Sequence, residues 1–194
     1  MKILLANLTK MVNDTGGLSK VTIAFANEMQ RRGHTVNFVY EDIQIGDFYY
    51  SLNENVGAYD LCHYDGKSIS IPLWYKMKRE ILRTFNKRKA RGVNDEFTKN
   101  YLLDNLKSVL VRTEPEVIVS FQPAASKALL IDLKTDIPVI TMSHGDPEDY
   151  FHTYPVEEVE AVAKSTVNQV LLPSFESHIK NHLPEAKTVV IGNA

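Results

Sequence analysis

An internal disulfide is excluded at the outset, because the sequence holds a single cysteine, Cys62. That usage favours a reducing compartment. Long apolar runs are also lacking. The stretch after Lys2 ends at Asn7, too short for the apolar centre of a secretory signal, and nothing approaches the ~20 residues that cross a bilayer. No excess of either charge is present: a formal net charge of −2 argues against wrapping nucleic acid over the whole surface. Repeats, linkers and low-complexity tracts are absent as well. The expectation is a cytoplasmic protein that touches a membrane, if at all, peripherally at its inner face.

What is present suits one large domain: 194 residues, 44% hydrophobic and 24% charged. Residues 2–7 (KILLAN) form a short apolar run of strand length. A polar loop follows, ending in Gly16-Gly17. Leu18, Val21, Phe25 and Met29 then recur at helical steps, and Gly33 follows Arg31 and Arg32 as a helix end should. His34 to Tyr40 is β-branched and aromatic, a second strand. Strand, glycine turn, helix and strand make one βαβ unit, which requires a parallel sheet. The glycine pair then lies at the carboxyl edge of the first strand, where open α/β sheets bind ligands.

Downstream the alternation continues. A short strand is expected near residues 59–64, a helix over 95–112, a strand over 116–121 and a helix from Pro123 to Leu133. Strands at 137–142, 168–172 and 187–191 follow, separated by helices at 155–165 and 175–182, the last capped by Pro173-Ser174. The sum is a Rossmann-like, doubly wound parallel sheet of about six strands with helices on both faces. Residues 72–91 stand apart, with Trp74, Met77, Ile81 and Phe85 at helical spacing amid eight basic residues and one acid, Glu80. Such a basic amphipathic helix either packs its apolar side into the core or docks on an anionic membrane.

The loops after the strands meet at one edge, and the richest is SHGDPEDYFH, 143–152. Its His144, Asp146, Glu148, Asp149 and His152 raise the thought of a metal. The other loop tips offer mostly amides and hydroxyls, so no metal site is expected. Glu41 ends the second strand, where an acid can hold a nucleotide ribose. However, neither the G-x-G-x-x-G of a dinucleotide turn nor the Gly-Lys-Ser/Thr of a P-loop accompanies it. His63 is read as structural.

Taken together, the strand with Gly-Gly about ten residues on, the RRGH helix end, IPVIT before His144-Gly145, VLLPSFESHIKNHLP and the closing KTVVIGNA resemble the amino-terminal half of GT-B glycosyltransferases of family four. The family's closing V-I-P-N-G has Gly192 here for its proline and Ala194 for its final glycine. The resemblance implies a retaining enzyme that moves a sugar from a nucleotide-diphosphate donor to an acceptor such as a lipid-linked or cell-envelope glycan. It implies no cofactor beyond that donor and no metal. Residues 1–194 would be the acceptor-side domain, inactive without a second Rossmann-like domain that carries most donor contacts. By this resemblance Gly16, Gly17 and Lys20 face the diphosphate, and His144 lies beside the transferred sugar. Gln122, Ser126, Ser143, Gly145, Asp146 and Ser174 are the acceptor-side candidates. Two other readings stay open: a non-catalytic Rossmann-type module that binds a nucleotide or sugar and regulates a partner, and an NAD-dependent enzyme with a degenerate glycine turn.

Overall fold

A computed structural model describes residues 1–192. The strands are β1 (Lys2–Asn7), β2 (Thr35–Tyr40), β3 (Gly57–Asp60), β4 (Val117–Ser120), β5 (Val139–Met142), β6 (Val167–Val170) and β7 (Thr188–Val190). They form one seven-stranded sheet in the order β3-β2-β1-β4-β5-β6-β7, every pair parallel. The order reverses beside β1, which sets a crevice between the loops after β1 and β4. The sequence predicts six strands and an uncertain seventh; that seventh is β3. It runs over 57–60 rather than 59–64, because Leu61 and Cys62 turn inward and pack under the sheet, fully buried. Asn193 and Ala194, the end of the KTVVIGNA stretch, lie outside the described residues.

Each face of the sheet carries its own core, as alternation along β1 requires. Leu4 and Ala6 pack with Phe97, Leu106, Ile118 and Leu129, while Ile3 and Leu5 pack with Ile23, Ala26, Phe38 and Val119. The helix α1 (Gly17–Arg31) covers the second face. Its expected stripe, Leu18, Val21, Phe25 and Met29, is only half-buried. The deepest positions are the small side chains of Ser19, Thr22 and Ala26, beside Ile23, which let the helix approach the sheet closely. Gly33 ends α1 as expected, with φ of 85° and its N–H bonded to the Gln30 carbonyl.

The basic segment is not one helix. α2 (Leu73–Phe85) stops at Asn86, whose extended backbone (φ −155°, ψ 99°) starts α3 (Lys87–Phe97). Asn86 caps α3 by accepting the Lys89 N–H at 3.0 Å. A π-turn, Thr98–Leu102, joins α3 to α4 (Leu103–Thr113), so the expected 95–112 helix begins eight residues early. Nor does α2 bury the side the core-packing reading requires: Phe85 is 83% exposed, Leu73 72%, Ile81 59%, Met77 57% and Trp74 50%. Tyr75 alone in α2 is buried, packed against the rings of Phe97 and Tyr101.

The remaining helices are α5 (Pro123–Lys127), extended by a π-turn over Ala128–Asp132, then α6 (Glu148–Thr153), α7 (Val156–Lys164) and α8 (Pro173–His182). Pro173 occupies the first turn of α8, and Ser174 makes no capping hydrogen bond. A proline with its preset φ serves there instead of the expected serine cap. Among the described residues no helix is long and apolar enough to cross a membrane.

Candidate functional site

The carboxyl ends of β1, β2, β4 and β5 surround a cavity of about 780 Å³. Its floor comes from strand ends that the sequence must hold open. Asn7, fully buried, donates to Thr22 Oγ1 at 3.1 Å and Met11 Sδ at 3.2 Å, and its Oδ1 accepts from Gln122 Nε2. That last bond ties β1 to β4 across the crevice. The loop after β1 is fixed by Asp42, 3% exposed: its Oδ2 accepts the N–H groups of Met11 and Val12, both at 2.8 Å, and its Oδ1 accepts the Gln44 N–H at 2.9 Å. Sequence reading passes over this clamp, because its partners are backbone amides some thirty positions away.

Among the expected site residues, Gln122, His144, Gly145 and Asp146 line this cavity together. The His144 ring stacks on Phe121 at 5.5 Å with planes 1° apart, and its Nε2 is shielded from solvent without a partner. Burial lowers the His144 pKa, so the ring stays neutral near pH 7. Asp146 accepts the Glu148 N–H at 2.9 Å and meets His178 Nδ1 at 2.7 Å, and these outweigh its slight burial and hold its carboxyl below the usual range. Glu148 in turn meets His152 and His182 at 3.1 and 3.2 Å. Asp146 and Glu148 are thus engaged by histidines and backbone, while the exposed Asp149 carboxylate makes no such bond among the described residues. Among the described residues no group of three such side chains is arranged to hold a metal ion. Likewise His63 pairs with Asp60 at 2.7 Å.

The other expected residues lie elsewhere. Ser126 is fully buried, bonded to Ser120 at 2.8 Å and Thr141 at 2.6 Å. Ser143, also buried, accepts from the Tyr150 hydroxyl at 3.0 Å. Ser174 and Lys20 are exposed and do not line the cavity. Gly16 precedes α1 with φ of −65°, and neither glycine of the pair has a positive φ, so the turn needs no left-handed residue. A Cβ on Gly17 would meet nothing within 4 Å. Asp14 already occupies this end of α1: it accepts the Ser19 hydroxyl, and that bond, with help from Lys10 and the Gly16 amide, keeps its pKa low.

Further acids line the cavity: Glu41, which the sequence marks at the end of β2, and Asp95 and Glu158, which sequence reasoning did not single out. Glu41 accepts the Thr98 hydroxyl at 3.0 Å; burial foremost, then the nearby Asp60, Asp95 and Asp42, push its pKa to about 7. Asp95 and Glu158 influence each other's ionisation, and burial raises both. Lys127 stands against them, almost fully buried, 2.7 Å from Asp132 and 3.5 Å from Glu157. Burial works against its charge, but these carboxylates more than restore it. Arg91 lies over the Tyr154 ring at 3.7 Å. The wall is therefore rich in carboxyls and aromatic rings, suited to hydroxyl-bearing ligands that donate hydrogen bonds.

No family model matches the chain, and no curated protein matches it in sequence. Solved structures do match in fold. Sucrose-phosphate synthase from Thermosynechococcus elongatus aligns over 98% of this chain and 47% of its own, with a TM-score of 0.64 at 10% identity. UGT2 from Phytolacca americana aligns over 100% of this chain and 52% of its own, with a TM-score of 0.59 at 10% identity. UDP-GlcNAc 2-epimerase from Methanocaldococcus jannaschii gives 100%, 46%, 0.58 and 13%. The chain spans about half the length of these structures. Its fold is one Rossmann-like half of the GT-B fold.

Proposed function

We infer that this chain is the amino-terminal, acceptor-side half of a retaining glycosyltransferase resembling family four, and that it acts with a second, donor-binding domain in the whole protein. The observation that carries the reading is the meeting of Gln122, His144, Gly145 and Asp146 in one cavity at the sheet's carboxyl edge. The resemblance puts His144 beside the transferred sugar. A neutral imidazole there contacts sugar hydroxyls without adding charge against the cation that develops at the anomeric carbon. Gln122, Gly145 and Asp146 face the acceptor, a glycan or lipid-linked glycan handled in the cytoplasm. In the same reading the donor diphosphate approaches the amides at Gly16 and Gly17, with Lys20 nearby, and its charge is met by these groups and the second domain rather than by a metal. Asp14 repels that diphosphate unless the approach displaces it from Ser19.

The sheet also fits a nucleotide-binding module without catalysis, and NAD binding is the other alternative. Titrating the chain with nucleotide sugars, sugars and NAD, with chemical-shift changes followed by NMR, separates these readings. The transferase half predicts shifts around His144, Gly145 and Gln122 with sugar ligands and none with NAD. Saturable NAD binding at the β1–α1 turn would overturn it.

A further inference from the structure

The side of α2 that would ordinarily be inside is outside. At 100° per residue, Leu73, Met77, Ile81, Trp74 and Phe85 fall within an arc of about 120°. All five are at least half exposed. The helix is nevertheless held firmly from its opposite side: Tyr75 is buried against Phe97 and Tyr101, and its hydroxyl accepts from Asn100 at 3.0 Å. The apolar arc is therefore presented by a fixed helix. An exposed stripe of this size, on one element, marks a docking surface.

The charges say what docks. Lys78 is held by Glu96 at 2.6 Å, and Arg79 and Arg83 share Glu80 at 3.3 and 3.7 Å. Lys76, Lys87 and Lys89 are exposed and make no ion pair among the described residues. Two of these three stand at the start of α3, just past the arc's Phe85. A second copy of the chain seated on this stripe would bring like charges together. A surface with an apolar interior and anionic headgroups satisfies both parts at once.

We propose that α2 and the first turn of α3 dock this chain on an anionic lipid surface, the apolar arc entering the headgroup boundary and Lys76, Lys87 and Lys89 lying against the lipid charges. Trp74, whose ring centre lies 3.8 Å from that of Tyr75 at a 33° tilt, is a residue type that settles at that depth. Ile71, just before α2, and Arg79, on the side of α2 opposite the arc, line the cavity. Docking through the arc thus leaves the cavity on the far side of α2, about one helix diameter (~10 Å) from the headgroups. The docking itself rests on α2 and the first turn of α3 and does not depend on the transferase reading.

The test uses Trp74, the only tryptophan in the chain. The chain is mixed with vesicles of phosphatidylcholine alone or containing phosphatidylglycerol; Trp74 emission and co-sedimentation are followed at low and high salt. Expected are a blue shift and sedimentation with the anionic vesicles only, both weakening with salt. Lys76→Gln, Lys87→Gln and Lys89→Gln together should weaken partitioning by about fivefold per charge removed. Met77→Ser, Ile81→Ser and Phe85→Ser together should abolish the blue shift and leave the thermal melt unchanged, since all three side chains are exposed. Three results would overturn the proposal: no binding to anionic vesicles at low salt, equal binding to both vesicle types, or a lipid-independent blue shift that grows with protein concentration, which would put a second copy on the stripe.

Discussion

Replacing Asp42 by alanine removes the clamp that fixes the loop after β1, and its cost can be worked from the geometry. The carboxylate accepts three backbone N–H groups at 2.8, 2.8 and 2.9 Å. Gln44 is exposed, so its amide recovers a bond from water. Met11 and Val12 are 1% and 5% exposed, and their amides would be left unpartnered. An orphaned buried donor costs about 1–3 kcal/mol, so with two of them the variant should lose about 2–6 kcal/mol. Asp42→Asn keeps an acceptor oxygen but loses the charge, and about 1–2 kcal/mol is expected for it. Urea denaturation followed by circular dichroism measures both, read from the shift in midpoint at constant slope. A loss below about 0.5 kcal/mol for Asp42→Ala would show that the loop finds other partners and that the clamp reasoning is wrong.

Glu41→Gln should stabilise the chain above neutral pH. With a folded pKa raised to about 7, the carboxyl resists ionising while the unfolded chain ionises near its usual 4.5. Stability therefore falls as pH rises from about 4.5 to 7 and is level above, and glutamine removes that slope while still accepting from Thr98. Melts should show the variant about 1–3 kcal/mol more stable at pH 8 and equal to the parent near pH 4; equal stability at both would sink the assignment. In the whole protein, His144→Ala should lower kcat more than it raises donor KM, because the proposed contact strengthens in the transition state. Unchanged kinetics would remove His144 from the site. Gly17→Val should leave stability almost unchanged, since a Cβ there meets open space, yet weaken donor use by crowding the diphosphate. Normal donor KM and kcat would place the diphosphate elsewhere.

The order of strands and helices was legible because each strand is a short apolar run and each crossover keeps its helical period. So was the carboxyl edge, and with it His144, Gly145, Asp146 and Gln122. The break at Asn86 was not read, although an asparagine before Lys-Arg-Lys is a capping position; the run of basic residues on both sides masked it. The outward face of α2 was hidden for another reason. Periodicity shows that Trp74, Met77, Ile81 and Phe85 share a side, but only the packing of Tyr75 shows that this side is turned away from the core. Ser126 and Ser143 sit at strand ends as expected, yet their hydroxyls are used within the core. Asp95 and Glu158 lie far along the sequence from Glu41-Asp42, and only the fold gathers them into one wall.

The most direct measurement of the central claim is sugar transfer. The whole protein and this chain alone would each be incubated with a panel of nucleotide-diphosphate sugars and an extract of lipid-linked and soluble glycans, and sugar incorporation followed by mass spectrometry. Incorporation is expected with the whole protein, suppressed by His144→Ala, and none with residues 1–194 by themselves. Robust transfer by this chain alone would contradict that claim, as would a whole protein that releases or epimerises the sugar without transferring it.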